Sequence, residues 1–208
     1  AYSCYHCSKK YSAKCCKKEN NERFADISCY SFYPSKNLGA YGDAGLVATN
    51  NITIYKKLLS LRNLGSVKKN QHKHIGLNSR LDTIQSVVLK RKLKSIHKLN
   101  DKRRAIAAMY DRGLNQINKI KLTCTNPGSS RHLYVIRTAK RTALIRFLKR
   151  RGILCQIHYP YSLNKIKPFI KNTKKKVSLK ISEKWTKQCL SLPLHPLLKN
   201  YEIKRVIN

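Results

Sequence analysis

The sequence predicts an α/β chain, and three observations carry that prediction. Residues 24–33 alternate into a glycine-punctuated turn, and the apolar run Leu46-Val47-Ala48-Thr49 leaves it; both have the pattern of strands. Leu81, Ile84, Val88, Leu89, Leu93 and Ile96 form a broad stripe at helical spacing, predicted to face the core. Further on, residues 133–136, a helix through Leu144, Phe147 and Leu148, and residues 153–157 make a strand–helix–strand unit.

The remaining elements follow in order. Asn50-Asn51 is a turn, and Ile54, Leu58 and Leu61, with Tyr55 and Leu59, give a helix that Gly65 ends. Residues 66–77 are polar and basic, the composition of a long exposed loop. Ser79-Arg80-Leu81-Asp82 has the spacing of a capping box for the next helix. Asn100 or Asp101 caps another through Ile106, Met109 and Tyr110, stopped by Gly113. Asn126-Pro127-Gly128 is a loop, Thr138 caps the helix of the strand–helix–strand unit, and Gly152 closes it. Lys171 to Lys180 is a solvated charge run. Ile181, Trp185 and Cys189 stand four apart on one helix face, and residues 201–207 make a short final helix.

The chain is organised around Ser31-Phe-Tyr-Pro-Ser-Lys36-Asn-Leu-Gly39-Ala-Tyr-Gly42-Asp43-Ala-Gly45. Glycines at 39, 42 and 45 let the backbone turn sharply and approach a bound group closely. A lysine held in such a turn can lose its proton and attack an aldehyde, and pyridoxal phosphate is the usual aldehyde. On residue types alone, a lysine beside glycines is usually the mark of an ordinary loop.

Composition bounds the rest. The 208 residues can bury a core and suggest one or two domains. No apolar run of eighteen residues exists, so no membrane span is expected. Charges and cysteines near Ala1 do not suit a signal peptide, and the expected setting is cytoplasmic. The formal net charge is +36, from 45 Lys+Arg against 9 Asp+Glu. Such a field draws polyanions whatever the protein does. The basic residues are spread along the whole chain, with no zinc-finger, RNA-recognition or basic-zipper pattern, so no specific nucleic-acid partner is expected. Cys4-x-x-Cys7, with His6, Cys15 and Cys16, has one zinc-like spacing, but the adjacent pair suits a tetrahedral site poorly and no metal is assigned. Cys29, Cys124, Cys155 and Cys189 sit among apolar neighbours, as small buried hydrophobes do.

The Lys36 segment resembles the cofactor-lysine segment of the DegT/DnrJ/StrS sugar aminotransferases. Further matches run in family order: Leu61-Arg-Asn-Leu-Gly65; Gly76-Leu-Asn78-Ser-Arg80-Leu-Asp82-Thr-Ile-Gln85; His132-Leu-Tyr-Val-Ile-Arg137; Gly152-Ile-Leu-Cys-Gln-Ile-His158-Tyr159-Pro160; and Leu190-Ser-Leu-Pro193-Leu-His-Pro196. They cover about residues 24–208, together specific where each alone is not. The resemblance implies an atypical basic, Cys-rich segment over residues 1–23. It implies the end of a pyridoxal-phosphate-binding large domain over residues 24–118 and a small α/β domain over residues 119–208.

It further implies that Lys36 is the catalytic lysine and that Ser31 contacts the cofactor phosphate. Asn78 would reach the phosphate of a neighbouring subunit's cofactor, making a homodimer with shared active sites; a helix-capping role is the alternative. His158 and Tyr159 match the substrate-side segment, with Asn164 and Ile166 where the family often has a histidine and a glutamine. Asp43 and Arg80 match motif positions that could support the turn and the helix start, and His195 packs between prolines. The implied reaction moves an amino group, from glutamate, to a nucleotide-linked keto-deoxy sugar. The family's carboxylate toward the cofactor ring nitrogen would fall before Ala1, so a shortened chain with little turnover of its own is expected. The competing reading is a non-enzymatic basic remnant that binds nucleic acid non-specifically.

The charge generates its own expectation. Duplex DNAs of unrelated sequence should bind equally, with affinity falling steeply between low and physiological salt when followed by fluorescence anisotropy. A sequence-selective, salt-insensitive complex would contradict it.

Overall fold

The computed structural model describes residues 25–123, 126, 128–172 and 178–208. The chain divides into two compact units, with residues up to Lys98 in one and residues from Leu99 in the other. This division falls within a helix, whereas the resemblance implied one after residue 118. Cys4, His6, Cys7, Cys15 and Cys16, as well as Cys124 and residues 173–177 of the lysine run, lie outside the described residues.

In the first unit, strand β1 (Ser28–Ser31) pairs antiparallel with β2 (Gly45–Ala48), from Ser31 opposite Gly45 to Ser28 opposite Ala48. Helix α1 (Ile52–Leu61) follows. Asn51 is its cap rather than only a turn residue, accepting from the amides of Thr53 and Ile54 at 2.9 and 3.1 Å. The chain leaves α1 through Gly65, whose φ of +75° only glycine adopts without strain, and a side chain there would collide with the His74 carbonyl.

Three expectations for this unit need correction. Residues 66–77 are not wholly a loop: β3 (Ser66–Lys68) and β4 (Gln71–His72) form a small hairpin. Asn70 turns it at φ +63°, a conformation asparagine tolerates. Strands this short carry too little alternation to be legible. Second, no capping box precedes α2 (Thr83–Leu93), because its cap Asp82 makes no side-chain cap bond. The Ser79 amide instead donates to the Arg62 carbonyl at 2.9 Å. Third, the apolar stripe is not core: Leu89 is buried, but Ile84 is 75% and Leu93 55% exposed. Spacing sets which residues share a face; it does not supply the layer that covers them.

The second unit holds the core. Helix α3 (Ile96–Leu114) runs through Asn100 and Asp101, so neither caps it, and Asp101 instead pairs with Arg104 one turn on. Strands β5 (Lys121–Leu122), β6 (Tyr134–Arg137) and β7 (Cys189–Leu192) form an antiparallel sheet in that order, with Tyr134 opposite Leu192 and Arg137 opposite Cys189. Helix α4 (Arg141–Arg150) is capped at Lys140, not Thr138, whose hydroxyl accepts from the Lys140 amide. Residues 153–157 do not form a strand; their backbone meets β7 in one bridge, Gln156 to Ser191, while Leu154 faces solvent. A 3₁₀ turn (Leu163–Lys165), α5 (Lys167–Asn172), α6 (Lys180–Gln188) and α7 (Asn200–Ile207) complete the unit. Cys189 does not share a helix face with Ile181 and Trp185, since α6 ends before it and it begins buried β7; Ile181 is 84% exposed.

Ile106, Ala107, Tyr110 and Leu114 of α3 pack with Tyr134 and Ile136 of β6, Leu190 and Leu192 of β7, Leu148, Ile153 and Ile203. The Tyr110 and Tyr134 rings lie 4.8 Å apart, tilted 47°. Each buried hydroxyl is satisfied: Tyr110 donates to the Pro193 carbonyl at 2.9 Å and Tyr134 to Asp111 Oδ1 at 2.7 Å. Buried Arg103 donates to the Leu194 carbonyl at 2.9 Å, tying α3 to the strand end. The isolated cysteines are not uniformly buried: Cys29 is exposed, Cys155 partly buried and Cys189 buried. Alternation on a two-stranded ribbon left Cys29 on the open face.

Burial first, then the nearby Cys155 and Glu202, push the Tyr110 phenol up to about 12. A group raised on folding contributes stability that is intact below its unfolded value near 10 and is lost as pH rises through the folded value. Tyr110→Phe should therefore cost about 1 kcal/mol at pH 8, from the lost hydrogen bond. Its deficit should shrink and reverse between pH 10 and 12, measured by urea unfolding of both proteins. A deficit independent of pH would contradict the assignment.

Candidate active site

Lys36 stands at the end of a turn that the local sequence dictates. Pro34 presets the backbone for the second position of a β-turn, and the Lys36 amide closes it on the Tyr33 carbonyl at 2.8 Å. The loop then doubles back. A Cβ on Gly39 would stand 2.3 Å from the Pro34 oxygen, so only glycine lets the returning chain lie against the turn. Phe32 closes the base, donating to the Ala44 carbonyl and accepting from the Ala40 amide, both at 2.8 Å. Lys36 is half-buried, and among the described residues its amine has no hydrogen-bond or ion-pair partner.

Ser31, the last residue of β1, lies in the same loop base and is exposed. Its Oγ is 3.4 Å from the Tyr33 amide, a long contact that leaves the hydroxyl proton for another acceptor. Asn78 pairs in a backbone bridge with Asn63 and accepts from Arg80 Nε at 3.0 Å. It does not cap α2, which starts after Asp82, so the capping alternative falls. Arg80 is thereby the partner of Asn78, and Asp43 is exposed on the returning arm of the loop.

His158 and Tyr159 belong to the second unit. His158 Nδ1 is 2.8 Å from the Oγ of buried Ser191, and its ring meets Tyr159 edge-on with centroids 5.3 Å apart. Tyr159 is exposed. Asn164, in the place of a family histidine, donates to Glu183 Oε1 at 2.9 Å and accepts from Ser162. That bond, ahead of the Leu179 amide and Lys165, holds the Glu183 carboxyl below the usual carboxylate range. His195 is exposed rather than packed, since its neighbours Pro193 and Leu194 carry the contacts to the core.

Three residues that sequence reasoning left without a role touch these elements. Ser191 holds His158, and its place in the Leu190-Ser-Leu-Pro193 match was the available signal. Gln85 Oε1 accepts from the Tyr41 amide at 2.8 Å. Lys92 Nζ donates to the Gly39 carbonyl at 2.7 Å and lies 4.4 Å from the centre of the Tyr41 ring. Gln85 closed a quoted motif; Lys92, among so many lysines, gave no signal. Among the described residues no cluster of His, Cys, Asp or Glu could hold a metal ion, and no helix is long and apolar enough to cross a membrane.

Half-buried Lys36 and exposed Ser31 thus stand on one loop of a mixed α/β chain, the Lys36 amine without a partner among the described residues. The chain belongs to the DegT/DnrJ/EryC1/StrS aminotransferase family, whose profile matches residues 16–208. It is 37% identical over 186 residues to a dTDP-3-amino-3,4,6-trideoxy-alpha-D-glucose transaminase of Streptomyces venezuelae, covering 88% of this chain and 49% of the relative. It is 33% identical over 189 residues to a UDP-2-acetamido-2-deoxy-3-oxo-D-glucuronate aminotransferase of Pseudomonas aeruginosa, covering 90% and 52%. The crystal structure of S. venezuelae DesV in complex with a ketimine intermediate superposes with a TM-score of 0.81 at 38% identity, over 87% of this chain and 49% of that one. A Bacillus subtilis structure with bound cofactor PMP gives 0.81 at 28% identity, over 90% and 45%. The fold is α/β, as these neighbours share it. The chain spans about half the length of the curated relatives it matches.

Proposed function

We propose that this chain carries the cofactor lysine and the C-terminal domain of a pyridoxal-phosphate-dependent sugar aminotransferase. The observation that carries the reading is Lys36: a half-buried amine, without a partner among the described residues, at the end of a closed loop in a chain of this family. The residues fit the cofactor by their chemistry, an amine for the aldehyde and the Ser31 hydroxyl as a donor to phosphate. Pyridoxal phosphate, when bound, supplies the aldehyde and an electron-withdrawing ring. Lys36 then has two tasks in this reading: it anchors the cofactor, and once released it moves the proton at the substrate carbon.

The substrate is a nucleotide-linked keto sugar and the amino donor is glutamate. Relatives named for dTDP- and UDP-linked sugars support the first. His158 and Tyr159 meet the sugar, with Ser191 orienting the imidazole through Nδ1. The active unit is a homodimer in which the Asn78 amide nitrogen reaches the other copy's phosphate. Its support is the exposure of the apolar side chains Ile75, Leu77, Ile84 and Val87, near Asn78 in sequence. The cytoplasm is the setting this reading assigns.

Two measurements test it. The full chain is mixed with pyridoxal phosphate, reduced with borohydride and mapped by mass spectrometry. The expected label falls chiefly on Lys36, with a visible absorbance band that Lys36→Ala removes; label scattered over surface lysines would overturn the reading. Sedimentation velocity should show a dimer at micromolar concentration, and monomer alone at the highest concentration reached would overturn the shared site.

A further inference from the structure

We propose that Gln85 and Lys92 are positioning residues for Lys36, acting from helix α2 through the backbone of the returning arm of its loop. The two are seven residues apart on α2, so they stand on one face about two turns apart. Both reach the loop, and at different points. Gln85 Oε1 accepts from the Tyr41 amide at 2.8 Å, and its Nε2 is 3.2 Å from where a Cβ on Gly42 would be. Lys92 Nζ donates to the Gly39 carbonyl at 2.7 Å and caps the Tyr41 ring at 4.4 Å. Each amide or carbonyl held this way has no strand partner, since β2 begins only at Gly45.

The grip matters because of what the returning arm touches. Gly39 lies against the Pro34 carbonyl too closely for any side chain, and Pro34 opens the turn that ends at Lys36. Gly39 and the fully buried Ala40 therefore link α2 to the lysine through three successive parts: helix, returning arm and proline turn. Loss of either contact lets the arm move away from Pro34 and the amine wander. Displacement of a reacting atom by about an ångström is enough to slow a reaction severely. The Lys92 bond is charge-assisted and partly buried, the stronger kind.

This inference rests on the reading of Lys36 as the cofactor lysine, and the experiment separates the two. The full chain and its variants are given sub-saturating pyridoxal phosphate, quenched with borohydride at intervals, and the Lys36 peptide is quantified against surface-lysine peptides. Gln85→Leu and Lys92→Met should each slow capture at Lys36 about tenfold, leaving surface labelling unchanged. Gln85→Glu, which keeps the accepting oxygen, and Lys92→Arg, which keeps a cationic donor, should each recover most of the rate. Far-UV circular dichroism checks the fold, and Lys92→Met with its arginine rescue carries the test if Gln85→Leu loses its helical signal. Capture at the wild-type rate in both apolar variants, or slow capture that the conservative variants do not rescue, overturns the inference while leaving Lys36 as the cofactor lysine. Indiscriminate labelling of the wild-type chain overturns the reading of Lys36 and the inference with it.

Discussion

The arrangement at Lys36 depends on one steric fact: the backbone at Gly39 occupies the space where any side chain would meet the Pro34 carbonyl. Because the chain can pass there, it can double back, and Phe32 can satisfy both its amide and its carbonyl with Ala44 and Ala40. A closed loop results with no regular secondary structure of its own, yet the amides of Phe32, Tyr33, Lys36, Ala40 and Tyr41 each have a partner. The lysine is anchored by its own amide to the Tyr33 carbonyl, while its amine stays unpaired among the described residues.

Much of this was legible in the residues. The glycines state a sharp turn, and one is present; the close approach at Gly39 is to the chain's own Pro34 carbonyl. The resemblance put Ser31 and Lys36 at one site; in the structure Ser31 ends β1 and Lys36 ends the proline turn five residues on. What stayed illegible depended on partners distant in sequence. Asp82 has the right residue type for a cap, but whether its carboxylate turns to the helix is decided by its surroundings. The stripe from Leu81 to Ile96 has helical spacing, and α2 forms there, but burial requires a facing surface. Cys189 was assigned to a helix because it continues a four-residue interval; the hydrogen bonds of β6 claimed it instead. Ser191, Gln85 and Lys92 are polar residues whose roles appear only when another element arrives beside them.

The second unit shows the opposite economy. Most of its buried polar side chains have a partner from another element, Arg137 Nε being an exception. The hydroxyls of Tyr110 and Tyr134, the guanidinium of Arg103 and the Oγ of Ser191 each bond a backbone or side-chain atom from a different element. Such bonds add modest net stability but strongly disfavour misaligned packings, where the same groups would be stranded. The sheet register that places Ser191 under His158 is held in this way.

The uneven distribution of apolar burial has a further meaning. Residues 99–208 contribute all the members of the main core, whereas the described part of the first unit buries only Ala40 and Leu89 among its hydrophobic side chains. Cooperative unfolding free energy follows buried contacts, so the two halves open on different scales. Backbone amides around Tyr110 and β6 are therefore expected to exchange with solvent on global unfolding, and those of the Lys36 loop through smaller local openings. Any molecule that binds the loop in its closed form draws that local equilibrium toward order, in proportion to its occupancy. Slowed amide exchange within residues 32–44 is then a direct thermodynamic gauge of occupancy, independent of turnover.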